Sequence, residues 1–324
     1  MNNKIIIIFG DPNSINSEII YKCWKKLSKN LKKKIYLIAN KKLLEAQFKI
    51  LNYKINLHEI KDIDENIENL NNKKLKVINI NINFNNPFNV SKKIASNFVV
   101  KSIELGHRLA LRNDVLGIIN CPIRKELLKK DNYGVTEYLA FKCGVRNNKF
   151  AMLIMNNNLA VCPITTHIDI KKISKKLNKQ IIFEKIKLIN TWFMKFLNFK
   201  PKIGILGLNP HNAELKKNSE EKKYIIPVIK KLKKLKYAIK GPLVADTLFI
   251  NDYKNYDVIV GMYHDQVLTP FKTLYKYNAI NLTTGLKYLR VSPDHGVAKN
   301  LIKKNKANFS SLSECVNFIF KLAK

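Results

Sequence analysis

The chain has little glycine, little arginine and little acid, and each shortage excludes something. Its 11 glycines include no G-x-G-x-x-G, so the fingerprint that cradles a dinucleotide pyrophosphate is absent. Five cysteines (Cys23, Cys121, Cys143, Cys162 and Cys315) form no C-x-x-C pair and follow no regular spacing. Neither a zinc cluster nor a disulfide framework is indicated, and they read as small buried apolar residues. No apolar stretch approaches the roughly 20 residues that span a bilayer. The run Ile5–Phe9, with Lys4 as the only charge before it, is too short for a secretory signal. No membrane contact and cytoplasmic residence are therefore expected. Internal repeats and Gly/Ser linkers are also missing. Acids number 24 against 59 basic residues, a net charge of +35. Such a surplus suits a polyanion binder, yet only Arg108, Arg112, Arg124, Arg146 and Arg290 are arginines. Arginine supplies the bidentate grip on guanine and phosphate, so this set excludes specific nucleic-acid readout. Lysine, asparagine and isoleucine are inflated together, as base bias in an AT-rich genome would produce. The charge then describes a solvated basic surface, with weak nonspecific polyanion binding as a by-product.

What is present is strand–helix alternation. At 324 residues and 46% hydrophobic, the chain can bury two cores of ordinary domain size. The segments Lys4–Phe9, Lys34–Ile38, Leu75–Ile82 and Val115–Ile119 predict buried strands, and Val90–Arg112 predicts a helix with Ile94, Phe98, Lys101, Leu105 and Leu109 on one face. Asn16 and Ser17 ahead of Glu18 are helix-start signals. Beyond Gly144 the pattern resumes, with strands at Phe150–Met155 and Leu159–Ile164 around an Asn156–Asn158 turn. An amphipathic helix at Ile181–Leu197 follows, then strands at Ile203–Leu208 and Val258–Met262. Ser311 and Glu314 have capping-box spacing in a closing helix. The asparagine runs near 66 to 89 predict loops. Alternation of this kind gives an α/β fold with a parallel sheet covered on both faces. The expected division is residues 1–128 with 299–324 in one α/β/α domain, and 129–298 in a second that carries the chemistry.

Three of the six histidines stand beside small polar residues: Thr165-Thr166-His167, Asn209-Pro210-His211 and Tyr263-His264-Asp265-Gln266. Each follows a predicted strand, and open α/β sheets place ligands outside the carboxyl ends of their strands. A lone loop histidine is ordinarily structural. Three at neighbouring strand ends make a first shell for a divalent metal, with a position left for water or substrate. Thr165, Thr166, Asn209 and Asp265 are placed to fix their tautomers by hydrogen bonding. Imidazole ligands suit zinc, cobalt and other ions without choosing among them.

Downstream lies a polar series: Lys272, Asn281, Thr283, Thr284, Arg290, Ser292, Asp294 and His295. In a chain this poor in arginine, Arg290 is a pointed choice, because its planar fork matches carboxylate or phosphate. Lys272 stands outside the lysine runs, between Phe271 and Thr273. Gly10-Asp11-Pro12-Asn13-Ser14 follows the first strand, where a nucleotide loop would lie. Nothing in these residues alone indicates a nicotinamide cofactor.

Read in order, the motifs match a known family. They are Gly10-Asp11-Pro12, Asn120-Cys121-Pro122-Ile123-Arg124-Lys125, Gly134-Val135-Thr136-Glu137-Tyr138-Leu139, Thr165-Thr166-His167, Gly207-Leu208-Asn209-Pro210-His211, Gly241-Pro242 with Ala245-Asp246-Thr247-Leu248-Phe249, Met262-Tyr263-His264-Asp265-Gln266, and Arg290 with Ser292-Pro293-Asp294-His295-Gly296. The chain resembles the 4-hydroxythreonine-4-phosphate dehydrogenases of vitamin B6 biosynthesis from about residue 4 to its carboxyl end. The resemblance implies a homodimer of two-domain subunits, related in fold to isocitrate and isopropylmalate dehydrogenases. It places the site in an inter-domain cleft, with metal ligands shared between subunits. It implies NAD-dependent oxidation of 4-phosphooxy-L-threonine, then decarboxylation to 3-amino-2-oxopropyl phosphate on the way to pyridoxal phosphate. His167, His211 and His264 match the family's ligands for a divalent ion (zinc, magnesium or cobalt), and Thr136, Lys272, Asn281 and Arg290 its substrate contacts. Asp246, Asp265 and Lys272 are then the catalytic candidates, with either aspartate as proton acceptor or as support for a histidine.

Several positions depart from the family pattern. Val135 stands where the family has histidine. Asn212-Ala213-Glu214-Leu215-Lys216-Lys217 replaces a glycine-rich stretch, Asn13–Asn16 stand where glycines are usual, and Val297 replaces threonine. Two alternatives follow: the same fold acting on another phosphorylated hydroxy acid such as 4-phosphoerythronate, or a noncatalytic basic protein that binds polyanions.

Overall fold

The computed structural model describes residues 3–65, 74–128, 134–145 and 149–322. The asparagine run at 66–73 and Arg146 lie outside them. The chain forms two compact units, Met1–Cys143 with Leu286–Lys324, and Gly144–Gly285.

The first unit is built on strands β1 (Lys4–Ile8), β2 (Ile35–Ala39), β3 (Asn56–Ile60), β4 (Lys74–Asn79) and β5 (Val115–Asn120), joined by the late strand Arg290–Pro293. Their order is β3-β4-β2-β1-β5 followed by Arg290–Pro293, and every pairing is parallel. A continuous isoleucine run suits a central parallel strand, which helices cover on both faces. Ile5, Ile6 and Ile8 are fully buried. The helix Lys92–Ala110 packs on this sheet through Phe98, Val99 and Ile103. Gly106 lets it come close, since a Cβ there would lie 2.5 Å from Ile8 Cδ1.

The sequence boundaries at 128/129 and 298/299 therefore give way to 143/144 and 285/286. The physical reason is local bonding. Glu104 on Lys92–Ala110 accepts from Tyr138 Oη at 3.3 Å and from Lys142 Nζ at 2.8 Å, which ties the helix Val135–Lys142 to the first unit. Arg290 and Val291 pair with Ile118 and Ile119 of β5. Thr136 and Arg290 thus belong to the first unit.

The second unit contains β6 (Ala151–Met155), β7 (Ala160–Pro163), β8 (Ile203–Leu206), β9 (Ile239–Leu243), β10 (Val258–Gly261) and β11 (Ile280–Thr284). Their order is β11-β6-β7-β10-β8-β9. The block β7-β10-β8-β9 is parallel, while β6 runs antiparallel to both neighbours. The purely parallel expectation is corrected here by the Asn156–Asn158 turn, too short for anything but a hairpin. Ile154, Val161, Leu206, Ile259, Val267 and Phe271 form the core under the helix His264–Tyr275.

The helix start at Asn16 is borne out, the helix running Asn16–Lys26; its amide donates to the carbonyls of Phe9 and Pro122 rather than capping. The capping box of the closing helix is corrected. Phe309, not Ser311, precedes Ser310–Lys321, without a side-chain cap. The buried Ser311 hydroxyl instead accepts from the Asp294 N–H at 2.9 Å, a long-range partner that outcompetes the local cap. All five cysteines are free and buried, as their spacing suggested.

Candidate active site

The registers of β7, β10 and β8 bring three strand ends to one edge of the second unit. Val258 lies opposite Ala160 on one side and Ile203 on the other, and Gly261 opposite Pro163. Just beyond come Thr165-Thr166-His167, Met262-Tyr263-His264 and Gly207 to His211. Histidine motifs nearly a hundred residues apart in sequence therefore share one edge. The ends are stitched together. Ile164 N–H donates to Gly261 O at 2.8 Å and Thr165 Oγ1 to Met262 O at 2.7 Å. Gln266 spans the other gap, accepting from Met262 N–H and donating to Gly207 O, both at 2.7 Å.

The rings of His167 and His264 lie with centroids 5.6 Å apart, inclined at 40°. His264 is the first residue of the helix His264–Tyr275, and its Nδ1 lies 2.6 Å from Asp265 Oδ1. That contact leaves Nε2 to carry a lone pair outward. His211 stands differently: its side chain is 72% exposed, and Nε2 lies 3.8 Å from Asp246 Oδ2. Among the described residues no group of three His, Cys, Asp or Glu side chains is arranged to hold a metal ion. His167 and His264 are thus adjacent imidazoles, whereas His211 lies beside Asp246.

Of the expected tautomer-fixing residues, Asp265 meets His264. Thr165 is spent on Met262, and Asn209 on glutamates: its Nδ2 donates to Glu220 Oε2 at 2.9 Å and Glu221 Oε2 at 3.1 Å. Sequence reasoning passed over Gln266 and Glu221. A glutamine two residues past a histidine was the available signal for the first. Nothing in the sequence marked the second.

The backbone around His211 is unusual. His211, Asn212, Ala213, Glu214 and Leu215 all have positive φ, between 46° and 58°. Side chains with a Cβ resist this left-handed region by about 1 kcal/mol each. The buried Asn212 fits beneath the turn because Gly207 has no Cβ to meet its Oδ1, and its Nδ2 reaches Pro242 O at 3.2 Å.

The remaining candidates are distributed as follows. Lys272 is exposed near the end of the helix His264–Tyr275. Asn281 sits on β11 opposite Ile154, and its Oδ1 is buried without a hydrogen-bond partner among the described residues. Asp246 and Asp265 are both exposed. Thr284, by contrast, is structural, bridging to the backbone of Ala151. In the first unit Arg290 is 3% exposed. Its Nε donates to Asn120 Oδ1 at 2.7 Å and its Nη1 to Thr136 Oγ1 at 3.0 Å. Burial pushes this guanidinium down to about 10, partly offset by Tyr288, Cys315 and Glu137.

The Gly10 loop is closed on itself. Gly10 has φ +82°, and a Cβ there would lie 2.7 Å from Pro122 O. The N–H groups of Asp11, Asn13, Ile15 and Asn16 already donate to Pro122 O, Asp11 Oδ1, Val297 O and Ser14 Oγ. Buried Asp11 takes Arg124 Nε at 2.5 Å. Most of this loop's amides are thus engaged by the protein itself.

The family model described as "Pyridoxal phosphate biosynthetic protein PdxA" matches residues 30–319. The chain is 37% identical to the 4-hydroxythreonine-4-phosphate dehydrogenase of Sulfurihydrogenibium sp. (strain YO3AOP1), over 99% of this chain and 98% of that protein. It is 32% identical to the D-threonate 4-phosphate dehydrogenase of Salmonella typhimurium, over 71% of each chain. The crystal structure of 4-hydroxythreonine-4-phosphate dehydrogenase from Klebsiella pneumoniae superimposes with a TM-score of 0.86 at 26% identity, covering 99% of this chain and 100% of that one. Conserving an α/β fold, the motif order and nearly the full length at once, the chain belongs to the pyridoxal phosphate biosynthetic protein PdxA family.

Proposed function

We propose that this chain is a dehydrogenase of 4-phosphooxy-L-threonine. It would use NAD and a divalent ion to oxidise the secondary alcohol, then release carbon dioxide to give 3-amino-2-oxopropyl phosphate for pyridoxal phosphate synthesis. The observation that carries the reading is the shared strand edge, with the His167 and His264 rings 5.6 Å apart and a third histidine on the adjoining strand end. His167, His211 and His264 would hold the ion, the third reaching it by movement of its turn or from a second copy of the chain. When bound, the ion supplies positive charge beside the substrate oxygen that loses its proton and later gains electrons.

The chain's own groups divide the remaining work. Asp265 holds His264 with Nε2 outward. Asp246, exposed and not hydrogen bonded to His211, is the carboxylate left to take the alcohol proton. NAD, when bound, would accept the hydride from the carbinol carbon as Asp246 takes the proton, leaving the ketone. Loss of carbon dioxide would then put the electron pair of the broken bond onto that carbonyl until a proton replaces it. Arg290 and Lys272 match the substrate's phosphate and carboxylate, and Asn281 Oδ1 accepts from a substrate donor. Thr136, whose hydroxyl takes Arg290 Nη1, fixes the fork. For the cofactor, the closed Gly10 loop is the wrong shape. A cavity of ≈ 330 Å³ beside it, lined by Asn13, Ser91, Lys92, Arg124 and Lys299, would offer Lys92 and Lys299 to a pyrophosphate, Arg124 being paired with Asp11 and Glu126.

The test is NADH absorbance when 4-phosphooxy-L-threonine and a divalent ion are added to the purified chain. Turnover that stops on chelation and returns with metal is expected. No NADH, or turnover indifferent to exhaustive chelation, would overturn the reading. A second reading keeps the site and changes the substrate to a phosphorylated hydroxy acid. It is favoured by Val135 at the head of its helix and by the name of the Salmonella relative. Faster turnover of D-threonate 4-phosphate or 4-phosphoerythronate would select it.

A further inference from the structure

Glu221 is fully buried, and its carboxylate is held by a set of amides. Oε1 accepts from Leu208 N–H at 2.8 Å and Asn209 N–H at 2.9 Å, and Oε2 from Asn209 Nδ2 at 3.1 Å. Disturbing a buried carboxylate held this way is costly, because the donors it satisfies are left unpaired. Glu221 also opens the π-helical turn Glu221–Ile225, a rare feature concentrated at functional sites. All of its donors lie in Leu208-Asn209, the stem that carries His211 into the left-handed turn.

We propose that Glu221 is a positioning residue for the cation site. Its carboxylate clamps the stem at Leu208 and Asn209, and thereby fixes where the strained turn presents the His211 imidazole. Two features converge on this assignment. Left-handed conformations at five non-glycine residues need a rigid base to persist. Gln266 joins Gly207, at the head of the same stem, to Met262, two residues before His264, so the clamp also sets the spacing between two histidine-bearing ends. The inference rests on the metal reading above and adds a residue to it.

The experiment measures divalent-ion affinity by calorimetry, with zinc or cobalt alone as probe, in the parent, Glu221→Gln, His211→Ala and the double variant. Thermal midpoints are recorded alongside. Glu221→Gln keeps the shape but turns one acceptor oxygen into a donor facing Asn209. It should remain folded and bind the ion about 10- to 100-fold more weakly, the usual effect of disturbing a group that orients a ligand. In the His211→Ala background the same change should have little further effect, because both act through one imidazole. Glu221→Asp, if Gln fails to fold, should show the same dependence on His211. A parent that binds and a Gln variant within twofold of it would overturn the positioning role alone. So would an equal loss in both backgrounds. A parent that binds no divalent ion would overturn the metal reading, and this inference with it.

Discussion

Arg290 and His211 are each matched to a charge on the proposed substrate site, yet the fold presents them in opposite ways. Arg290 is 3% exposed on a strand, with two of its nitrogens engaged by Asn120 and Thr136. His211 is on a turn, 72% exposed, with a carboxylate no nearer than a loose ion-pair distance. Under the proposed function the arginine would be oriented before an anion arrives, so little ordering would be left for binding to supply. The histidine would have to approach a cation as the cation binds. One region is a buried, fixed fork and the other an exposed imidazole on a left-handed turn.

The largest effect should come from disturbing the fixed region. Arg290→Lys keeps the charge but loses the fork and the paired hydrogen bonds. A fall in kcat/KM of about 100-fold or more, equivalent to about 3 kcal/mol, is expected, with little change in affinity for the divalent ion. Weakened metal binding would show that the two regions are not separable. Next in size, Asp265→Asn removes the charge beside His264 and puts an amide donor in place of one carboxylate oxygen, so either tautomer can be accommodated. Metal affinity should fall by about 10-fold or more, with an unchanged thermal midpoint because Asp265 is exposed. An unaltered affinity would mean that His264 needs no orientation from this carboxylate.

A buried cation outside the site sharpens the contrast. Lys76 on β4 is 4% exposed, its ammonium lies over the Tyr36 ring at 3.8 Å, and it donates to the Lys33 carbonyl. Burial lowers its pKa from 10.5 to about 8. The folded state therefore favours the neutral amine while the unfolded chain stays protonated. The resulting penalty is fully present below pH 8 and disappears as pH rises from about 8 to 10.5. Lys76→Met should stabilise the protein by on the order of 2 kcal/mol at pH 7, and should flatten stability across that window in denaturant titrations. Arg290→Met, by contrast, should destabilise by about 2 kcal/mol, since Asn120 and Thr136 lose their donors. Stabilisation by both would mean that Arg290 is merely another buried charge.

The sequence made the same division partly visible. Parallel strands were legible because isoleucine-rich runs have one reading in a covered sheet, and the three histidine motifs were placed past strand ends by pattern alone. Arg290 was marked by rarity. The hairpin that turns β6 antiparallel was foreshadowed only by the Asn156–Asn158 turn. Glu221 was illegible, because its role depends on donors at Leu208 and Asn209 that are close only after the chain has folded back. Ser311 misled for a related reason: a local capping rule does not know that Asp294 will be within reach. The unit boundaries slipped because Glu104 recruits the helix Val135–Lys142 across a stretch that reads as a linker.

The smallest effect tests the left-handed turn directly. Ala213 has φ +51° and lies in the middle of the five residues. Glycine reaches this conformation without the Cβ clash, but it also gives the unfolded chain more freedom, and the two terms oppose each other. Relief of about 1 kcal/mol against an entropic loss of about half that leaves Ala213→Gly more stable by roughly 0.5 kcal/mol. The denaturant midpoint should rise slightly with an unchanged slope. The effect on the cation should run the other way. A turn loosened at 213 samples more positions of the His211 ring, so metal affinity should fall by a few-fold while Arg290-dependent anion binding stays as it was. A lower midpoint would mean that the turn is not strained at this residue. Unchanged metal affinity would mean that the restriction imposed by alanine contributes nothing to presenting His211.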